Sequence, residues 1–436
     1  MRFIPPGLED APPRVRRAMA WSAADGTLFA IMDGLSGPAL GLYAVALGMP
    51  DLVVGLLGSL PWLAGSLSQL LSPWLERLCV TRKRAILLSG LVHMLAWILV
   101  PCVEFLPTGL PRAAMLVGIA CLGSAGWLVG VPLWASWMGD LLPPLAREKC
   151  MAWRAMPAQI GMAAGILVMG EWMQAHDGIG SGAVHAFRIL FWSAAGVRLG
   201  SLACILLQYE PPAAETQPER DEASRSPAGF GRVALFFAVF HLVLFVGAPY
   251  ANPYLRMSGL SYREISWILA ISFPARMLFL PAWARVAARY GSRRVILVSG
   301  ALTSLSGSLW AGPGGWAYLM AIQVFAGMAW AGMELCEIPY LLTVMPARDR
   351  TRKMAAYFSL RSFTDCLGAL GGDLSMGRVR AWGSASGTTP YRCAFALSGL
   401  GRAAAMLLAW KSLPETAPQA KSVGPGRMVA EVATLV

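Results

Sequence analysis

Long apolar stretches, each about as long as a membrane-spanning helix, alternate with short polar segments along the whole chain. About 20 apolar residues are needed to cross ~30 Å of hydrocarbon at about 1.5 Å per residue. The pattern predicts twelve such helices, which we number α1 to α12. Their predicted ranges are 20–47, 51–73, 85–106, 113–139, 154–174, 188–208, 232–256, 263–283, 294–312, 316–342, 355–377 and 390–411.

The composition supports this interpretation. The 436 residues are 56% hydrophobic and only 14% charged. A soluble chain of this length would need more charge to cover its surface, whereas a bilayer requires only that backbone polar groups be satisfied internally. We therefore expect an all-α integral membrane protein. The eight cysteines form no CxxC pair and have no partnering histidines, so we predict no metal, cofactor or disulfide framework.

A net charge of +12 raises the question of nucleic-acid binding. Most of the 36 Lys and Arg residues, however, lie at the N-terminus, in alternate loops between the predicted helices and in the tail. Short loops rich in Lys and Arg stay in the cytoplasm, which predicts that both termini are cytoplasmic. We expect a multi-pass protein of the cell membrane (the inner membrane in a Gram-negative cell), in contact with lipid, monomeric and without a nucleic-acid partner.

The chain contains an internal repeat. Arg84 to Gly90 reads R-x-I-L-x-S-G, and the same pattern returns 210 residues later at Arg294 to Gly300. Tyr43 and Tyr254, Trp127 and Trp330, and Arg198 and Arg402 recur at similar offsets. Such offsets indicate a six-helix unit duplicated in parallel orientation. The predicted organisation is a bundle at 1–208, a cytoplasmic linker at 209–231, a second bundle at 232–412 and a cytoplasmic tail at 413–436.

Twelve helices in two six-helix bundles with a central linker resemble the major facilitator superfamily. The family's loop motif, approximately G-x-L-A-D-R-x-G-R-R, falls between α8 and α9 and is partly kept at 284–294, and 76–84 keeps part of the first copy. The resemblance implies a carrier with an inner gate in these loops. Its residues would be Glu76, Arg77, Arg289, Gly291 and Arg293.

The family's antiporter signature falls in α5, near Gly161 and Gly165, but lacks its Gly-Pro pair. We therefore interpret these two glycines as sites of close helix packing rather than as a coupling motif.

Charged residues within the predicted helices are the first candidates for a functional site. Each costs about 2.5–3.5 kcal/mol at mid-bilayer and so requires a partner or a role. Asp33 lies deep in α1, and the repeat positions Val243 and Leu244 in α7 are apolar. We predict a proton or cation site at Asp33. The alternative is a structural ion pair with Arg198.

Two carboxylates on α10, Glu334 and Glu337, are three residues apart and therefore share one helix face. Like charges this close suit a carrier that takes up and releases a proton. The alternative is a structural pairing with Arg361 or Arg402. His241 in α7 is a further coupling candidate because histidine titrates near neutral pH, although a lone histidine in an apolar helix is often a core residue.

Substrate contacts are predicted at unduplicated charges and paired aromatics. Arg276 in α8 follows Pro274 and is expected to hold an anionic group of the solute. Trp127 and Trp330 are expected to stack on an apolar or aromatic part of it. Tyr43 and Tyr254 are expected either to close an outer gate or to belong to an interfacial aromatic belt.

Two further charged pairs are expected to be structural. Arg361 and Asp365 are four residues apart on α11 and are predicted to neutralise each other. Arg198 and Arg402 occupy equivalent places in peripheral helices, and their duplication favours a scaffold role.

These observations favour a secondary active transporter of a small organic solute, with anionic and amphipathic solutes as candidates, coupled to protons or to sodium. The alternative is a sensor or scaffold that kept the carrier fold without transport. An enzyme is not expected, because the four histidines and the cysteines form no nucleophile–base pair or metal cluster.

Overall fold

The computed structural model describes residues 7–9, 11–49, 51–176, 181–212, 227–345, 350–381, 387–414 and 425–434. The all-α prediction is confirmed, and all twelve predicted membrane helices are present. A further short helix, α13, follows them. The bounds are α1 Pro13–Ser36 and Ala39–Ala46, α2 Asp51–Gln69 and Ser72–Cys79, α3 Arg82–Leu99 extended by a 3-10 turn at Val100–Phe105, α4 Leu110–Leu141, α5 Arg147–Ala175, α6 Ser181–Leu207, α7 Pro227–Phe245 and Ala251–Met257, α8 Tyr262–Tyr290, α9 Ser292–Leu309, α10 Trp316–Val344, α11 Arg350–Ala381, α12 Thr389–Ser412 and α13 Pro425–Thr434.

Eight of the helices described are long and apolar enough to cross a membrane by length and composition alone: α1, α3, α4, α6, α7, α8, α10 and α12. The other four carry more polar residues or are interrupted. For example, α2 breaks after Gln69, and α11 contains Arg361, Asp365 and Asp373. Polar residues in membrane helices face the bundle interior or a water-filled cavity, so these helices are where functional groups are expected.

Several helices begin earlier than the apolar pattern predicts. The α1 helix begins at Pro13 rather than at 20, α5 at Arg147 rather than at 154, and α11 at Arg350 rather than at 355. An apolar window detects only the part of a helix inside the hydrocarbon, while the hydrogen-bonded helix continues into the polar interface. This difference moves several charged residues deeper into their helices than the sequence suggested.

Helix packing reproduces the repeat. In the first half α1 packs on α5 and α6, α2 on α4, and α3 on α4 and α6. In the second half α7 packs on α11 and α12, α8 on α10, and α9 on α10 and α12. Each contact thus has its counterpart six helices later. The two halves meet mainly through α5 against α8 and α2 against α11.

The glycines of α5 pack closely against α1, as predicted. A Cβ at Gly165 would lie 2.5 Å from the Ile31 carbonyl oxygen, and one at Gly161 would lie 2.8 Å from that of Thr27. A methyl group at either position would separate the helices, which confirms the interpretation as small-residue packing.

Residues 213–226 of the predicted linker and 415–424 of the predicted tail lie outside the described residues. The helix α13 lies within the predicted tail. It buries Met428 and Val432, and its Glu431 bonds to Arg289 and Tyr290 at the end of α8. The tail thus returns to the loop between α8 and α9.

Candidate functional site

The two predicted carboxylates of α10 have separate partners. Arg276 Nη1 on α8 donates to Glu334 Oε1 at 2.7 Å. Arg361 Nη1 on α11 donates to Glu337 Oε1 at 2.6 Å, and the Tyr357 hydroxyl donates to the same oxygen at 2.6 Å. Each carboxylate is therefore neutralised by its own arginine, so they do not form a like-charge pair that shares one proton.

The Glu337 contacts extend into a buried polar network that includes His241. The Nδ1 atom of His241 lies 3.0 Å from Asp365 Oδ1, and Arg361 Nε donates to the same nitrogen at 3.3 Å. The expected neutralisation of Arg361 by Asp365 is wrong, because Arg361 pairs with Glu337 and Asp365 pairs with His241. Residues four apart on one helix are near neighbours, but here each charged side chain has a closer partner on another helix.

The His241 ring nitrogen has two competing partners. An imidazole nitrogen without hydrogen accepts from a guanidinium, and a protonated one donates to a carboxylate. It cannot do both in one state. With His241 neutral, Glu337, Arg361 and Asp365 sum to one negative charge, and one added proton brings the network to zero. Protonation therefore changes both the charge of the network and the hydrogen bond that His241 makes.

A cavity of about 340 Å³ lies in the second half, lined by residues of α7 to α10 and α12 with Ile166 of α5. Its wall contains Arg276 and Trp330, two of the three predicted substrate residues of this half, and also Gln323, Trp310 and Arg402. Two guanidinium groups, an amide and two indoles thus surround one space.

Arg402 on α12 is the second cation of this cavity. Its side chain is buried, and its Nη1 and Nε donate to the carbonyl oxygens of Thr303 and Ser398 at 2.8 and 3.3 Å. Its Nη2 lies beside Gly307, on the cavity wall, where only a residue without a Cβ leaves room for it. No carboxylate lies within ion-pair distance of Arg402 among the described residues. The expected carboxylate partner is therefore absent from this part of the chain.

The equivalent arginine of the first half has a different environment. Arg198 Nη1 donates to Ser201 Oγ at 2.7 Å, and Ser201 donates to Asp25 Oδ1 at 2.7 Å. Arg154 of α5 lies 3.9 Å from the other oxygen of Asp25 and stacks 4.4 Å from the ring of Trp134. Asp25, Arg154, Arg198 and Trp134 line a second cavity of about 340 Å³, together with Trp127.

Asp33 does not pair with Arg198, whose carboxylate is Asp25. It lines a third cavity, of about 180 Å³, with Trp62, His93, Trp97 and Trp127. Asp33 and Trp127, both candidates from the sequence, thus line one cavity, and Arg198, the alternative partner of Asp33, does not contact it.

The paired tyrosines lie in the cores of their own halves. The Tyr43 hydroxyl donates to the Pro101 carbonyl oxygen at 3.1 Å, and its ring packs 5.4 Å from that of Phe191. Tyr254 packs 5.3 Å from Phe395. Both are fully buried, so neither projects into an interfacial aromatic belt.

The halves are joined at the end predicted to face the cytoplasm. Asp140, at the end of α4, accepts from Arg82 Nη1 at 2.5 Å and from Arg350 Nη1 at the start of α11. Nearby, the hydroxyls of Ser66 on α2 and Ser359 on α11 each donate to the other's carbonyl oxygen, at 2.9 and 2.7 Å. These contacts close that end of the protein.

The predicted gate residues of the first loop lie next to this closure. Glu76 lies 3.9 Å from Arg82, which bonds to Asp140. The side chain of Arg77 is exposed. The closure itself is formed by Arg82, Asp140 and Arg350, which sequence analysis did not select.

In the second loop, Gly291 has a φ of +85° and allows α8 to turn directly into α9. Arg289 donates to Glu431 of α13 at 2.9 Å. Arg293 donates to the carbonyl oxygens of Leu413 and Trp410, beyond and within the end of α12.

The sequence profile of the Major Facilitator Superfamily matches residues 26–258 and 233–434. The chain belongs to the Major Facilitator Superfamily. A comparison with curated protein sequences found no match. The family and the apolar helices identify a multi-pass membrane protein from a family of transporters rather than enzymes.

Solved structures of this fold superpose over almost the whole chain. A D-xylose–proton symporter has a TM-score of 0.70 at 15% identity and covers 94% of this chain and 100% of its own. The human organic anion transporter MFSD10 has a TM-score of 0.65 at 17% identity, covering 91% and 100%. The nucleoside transporter NupG has a TM-score of 0.61 at 15% identity, also covering 91% and 100%. At these identities the likeness shows the fold.

Proposed function

We propose that this protein is a secondary active transporter that moves a small organic anion across the membrane, coupled to proton movement, by alternating access of its two halves. The observation that carries the proposal is the cavity of the second half. It places Arg276 and the buried Arg402 around one space with two tryptophans. Buried cations are costly unless they are paired. An anionic solute in this cavity would supply the missing charge.

The cavity chemistry distinguishes among the solutes of the structural neighbours. A neutral sugar or nucleoside needs hydroxyl and amide partners, whereas a planar guanidinium binds a carboxylate or phosphate through two parallel hydrogen bonds. Arg276 is already bonded to Glu334, and Arg402 only to backbone carbonyls. The Arg402 guanidinium group, which has no carboxylate partner among the described residues, favours an anionic group, and Trp310 and Trp330 favour an apolar or aromatic body.

The coupling site is proposed in the network around His241 and Glu337. One proton changes its net charge and selects the partner of His241 between Asp365 and Arg361. The helix that carries Arg361 and Asp365 also carries Ser359 and Arg350, which join the halves. Protonation at the network can therefore act on the closure through α11, as alternating access requires.

Of the four predicted coupling residues, His241 and Glu337 belong to this network and Glu334 holds the substrate arginine. Glu334 would move away from Arg276 when the solute anion arrives, because the Glu334 carboxylate and the anion compete for one guanidinium group. Asp33 lies in a different cavity and is considered below.

The test is uptake into proteoliposomes containing the purified protein, with an inward proton gradient. The panel comprises aromatic and aliphatic carboxylates, a phosphate ester, D-xylose and uridine. We expect concentrative, saturable uptake of one of the organic anions that collapses when an uncoupler is added. Arg402→Met should abolish it.

Uptake of D-xylose or uridine in preference to every anion would overturn the substrate class. Uptake of none of the panel, with an anion still raising the melting temperature, would favour the sensor that binds a solute without moving it.

A further inference from the structure

The cavity at Asp33 is enclosed by α1, α2, α3 and α4 of the first half and measures about 180 Å³. Its lining includes one carboxylate, three tryptophans and one histidine: Asp33, Trp62, Trp97, Trp127 and His93. Among the residues that the structure describes, no lysine or arginine lines it. Its charge is therefore opposite to that of the cavity with Arg276 and Arg402.

Asp33 has no hydrogen-bond or ion-pair partner for its side chain among the described residues. The other carboxylates of the interior, Asp25, Glu337 and Asp365, are buried and all have partners. Asp33 is instead half-buried, so a solute can reach it. A carboxylate at this depth without a cation is costly, and a bound cation would remove that cost.

The aromatic residues form a cage beside it. The ring of Trp127 stacks on His93 with centroids 6.1 Å apart and meets Trp62 edge to face at 6.2 Å. Trp97 meets His93 at 5.9 Å from a third side. Indole faces attract large, weakly hydrated cations, and aromatic cages with a carboxylate are how proteins recognise substituted ammonium groups.

His93 adds a second polar function. Trp97 Nε1 donates to His93 Nε2 at 3.0 Å, so the neutral ring carries its hydrogen on Nδ1. This Nδ1 is buried and has no partner in the part of the chain described. Buried polar groups without a partner are rare in folded proteins. An oxygen atom of a ligand or of a water held by the ligand would satisfy it.

We propose that this cavity is a binding site for a small organic ammonium ion that carries an oxygen function, such as an amino alcohol. A metal ion fits less well, because it needs several oxygen, nitrogen or sulfur ligands and no cluster of three such side chains occurs among the described residues. Three indoles and one carboxylate suit a compact organic cation. The site is separate from the anion cavity and goes beyond the proposed transport function.

The experiment measures binding directly and therefore does not depend on transport. Purified protein in detergent is titrated calorimetrically with choline, with its neutral isostere 3,3-dimethylbutan-1-ol, and with choline in the presence of excess sodium chloride. We expect saturable choline binding, and binding of the isostere at least about tenfold weaker, because only the charge differs.

Asp33→Asn should weaken choline binding by about tenfold or more, and Trp62→Leu, which keeps the cavity apolar, by several-fold. Glu171→Gln, at an exposed ion pair with Arg263, is the matched control and should bind choline normally.

Equal binding of choline and its isostere, unchanged affinity in Asp33→Asn, or complete displacement of choline by sodium would each overturn the proposal. Absence of saturable choline binding to the wild-type protein would overturn it as well. If Asp33→Asn does not fold, the isostere comparison and Trp62→Leu still decide the question.

Discussion

The two halves of this transporter-family protein place an arginine at the same point of the repeat and surround it differently. Arg198 in the first half is linked through Ser201 to Asp25, with Arg154 beside that carboxylate. Arg402 in the second half bonds only to backbone carbonyls. The repeat position of Asp25 in α7 is Phe236. The repeat therefore carries the cation in both halves and this counter-charge in the first half.

The difference in partners distinguishes an arginine with a structural role from one that can bind a ligand. A fully buried arginine whose charge is met by the protein stabilises the bundle, whereas a fully buried arginine left without a carboxylate is available to a ligand. Symmetry alone suggested that both arginines are structural. Comparing their partners indicates that only Arg198 is.

The largest effect is expected at Asp25. Asp25→Asn would leave Arg154 and Arg198 buried without a counter-charge, and breaking a buried pair in this way typically costs about 3–5 kcal/mol. The variant should unfold at a clearly lower temperature than wild type and express poorly. A melting temperature unchanged from wild type would show that Arg198 does not depend on Asp25.

The second prediction compares the two arginines directly. Arg198→Met should destabilise the protein more than Arg402→Met, because the first change removes the hydrogen bond to Ser201 and leaves Arg154 as the one cation beside the buried Asp25. Removing Arg402 loses two hydrogen bonds to backbone carbonyl oxygens, about 0.5–1.5 kcal/mol each, and Thr303 O keeps the Ser306 hydroxyl as a donor. Denaturant unfolding of both variants measures this order. The reverse order would contradict the assignment of Arg402 to ligand binding.

A third prediction concerns the Arg276–Glu334 pair, which is partly exposed to the cavity. Arg276→Gln should raise the KM for the anion by about tenfold or more, the loss expected for a charge-assisted bond of about 1.5–3 kcal/mol. Stability should change little. If uptake is unaffected and the melting temperature falls, Arg276 is structural.

The smallest effect on stability and uptake is expected at an ion pair outside the three cavities. Glu171 and Arg263 pair at 2.8 Å on the surface, with both side chains about half exposed. Because exposed pairs are worth roughly 0–1 kcal/mol, Glu171→Gln should change stability by less than ~1 kcal/mol and leave uptake intact. A larger loss would indicate that this contact between α5 and α8 is part of the closure at the other end.

The fold could be predicted from sequence because it depends on span length and on a repeat, and both are visible in one chain. Not every ion pair could be predicted from sequence, because several helices begin earlier than the apolar pattern indicates. The apolar pattern places Arg154 and Asp25 at or near helix ends. In the structure α5 begins at Arg147 and α1 at Pro13, so both residues lie well inside their helices.

Ion-pair partners were also hard to assign from spacing. Arg361 and Asp365 lie one turn apart, yet each pairs with another helix. Neighbours on one helix are visible in the sequence, whereas contacts between helices depend on how the helices rotate against one another. The closure formed by Arg82, Asp140 and Arg350 could not be predicted from sequence for the same reason.

The central claim is that anion movement and proton movement are coupled through the His241 network. The most direct measurement is proton flux in proteoliposomes loaded with a pH-sensitive dye, driven only by a gradient of the transported anion. Wild-type protein should move protons with the anion. Glu337→Gln, which keeps the side chain size but removes the charge that holds Arg361, should lose this proton flux and retain exchange of labelled for unlabelled anion. Anion-driven proton flux of wild-type size in Glu337→Gln would contradict the account.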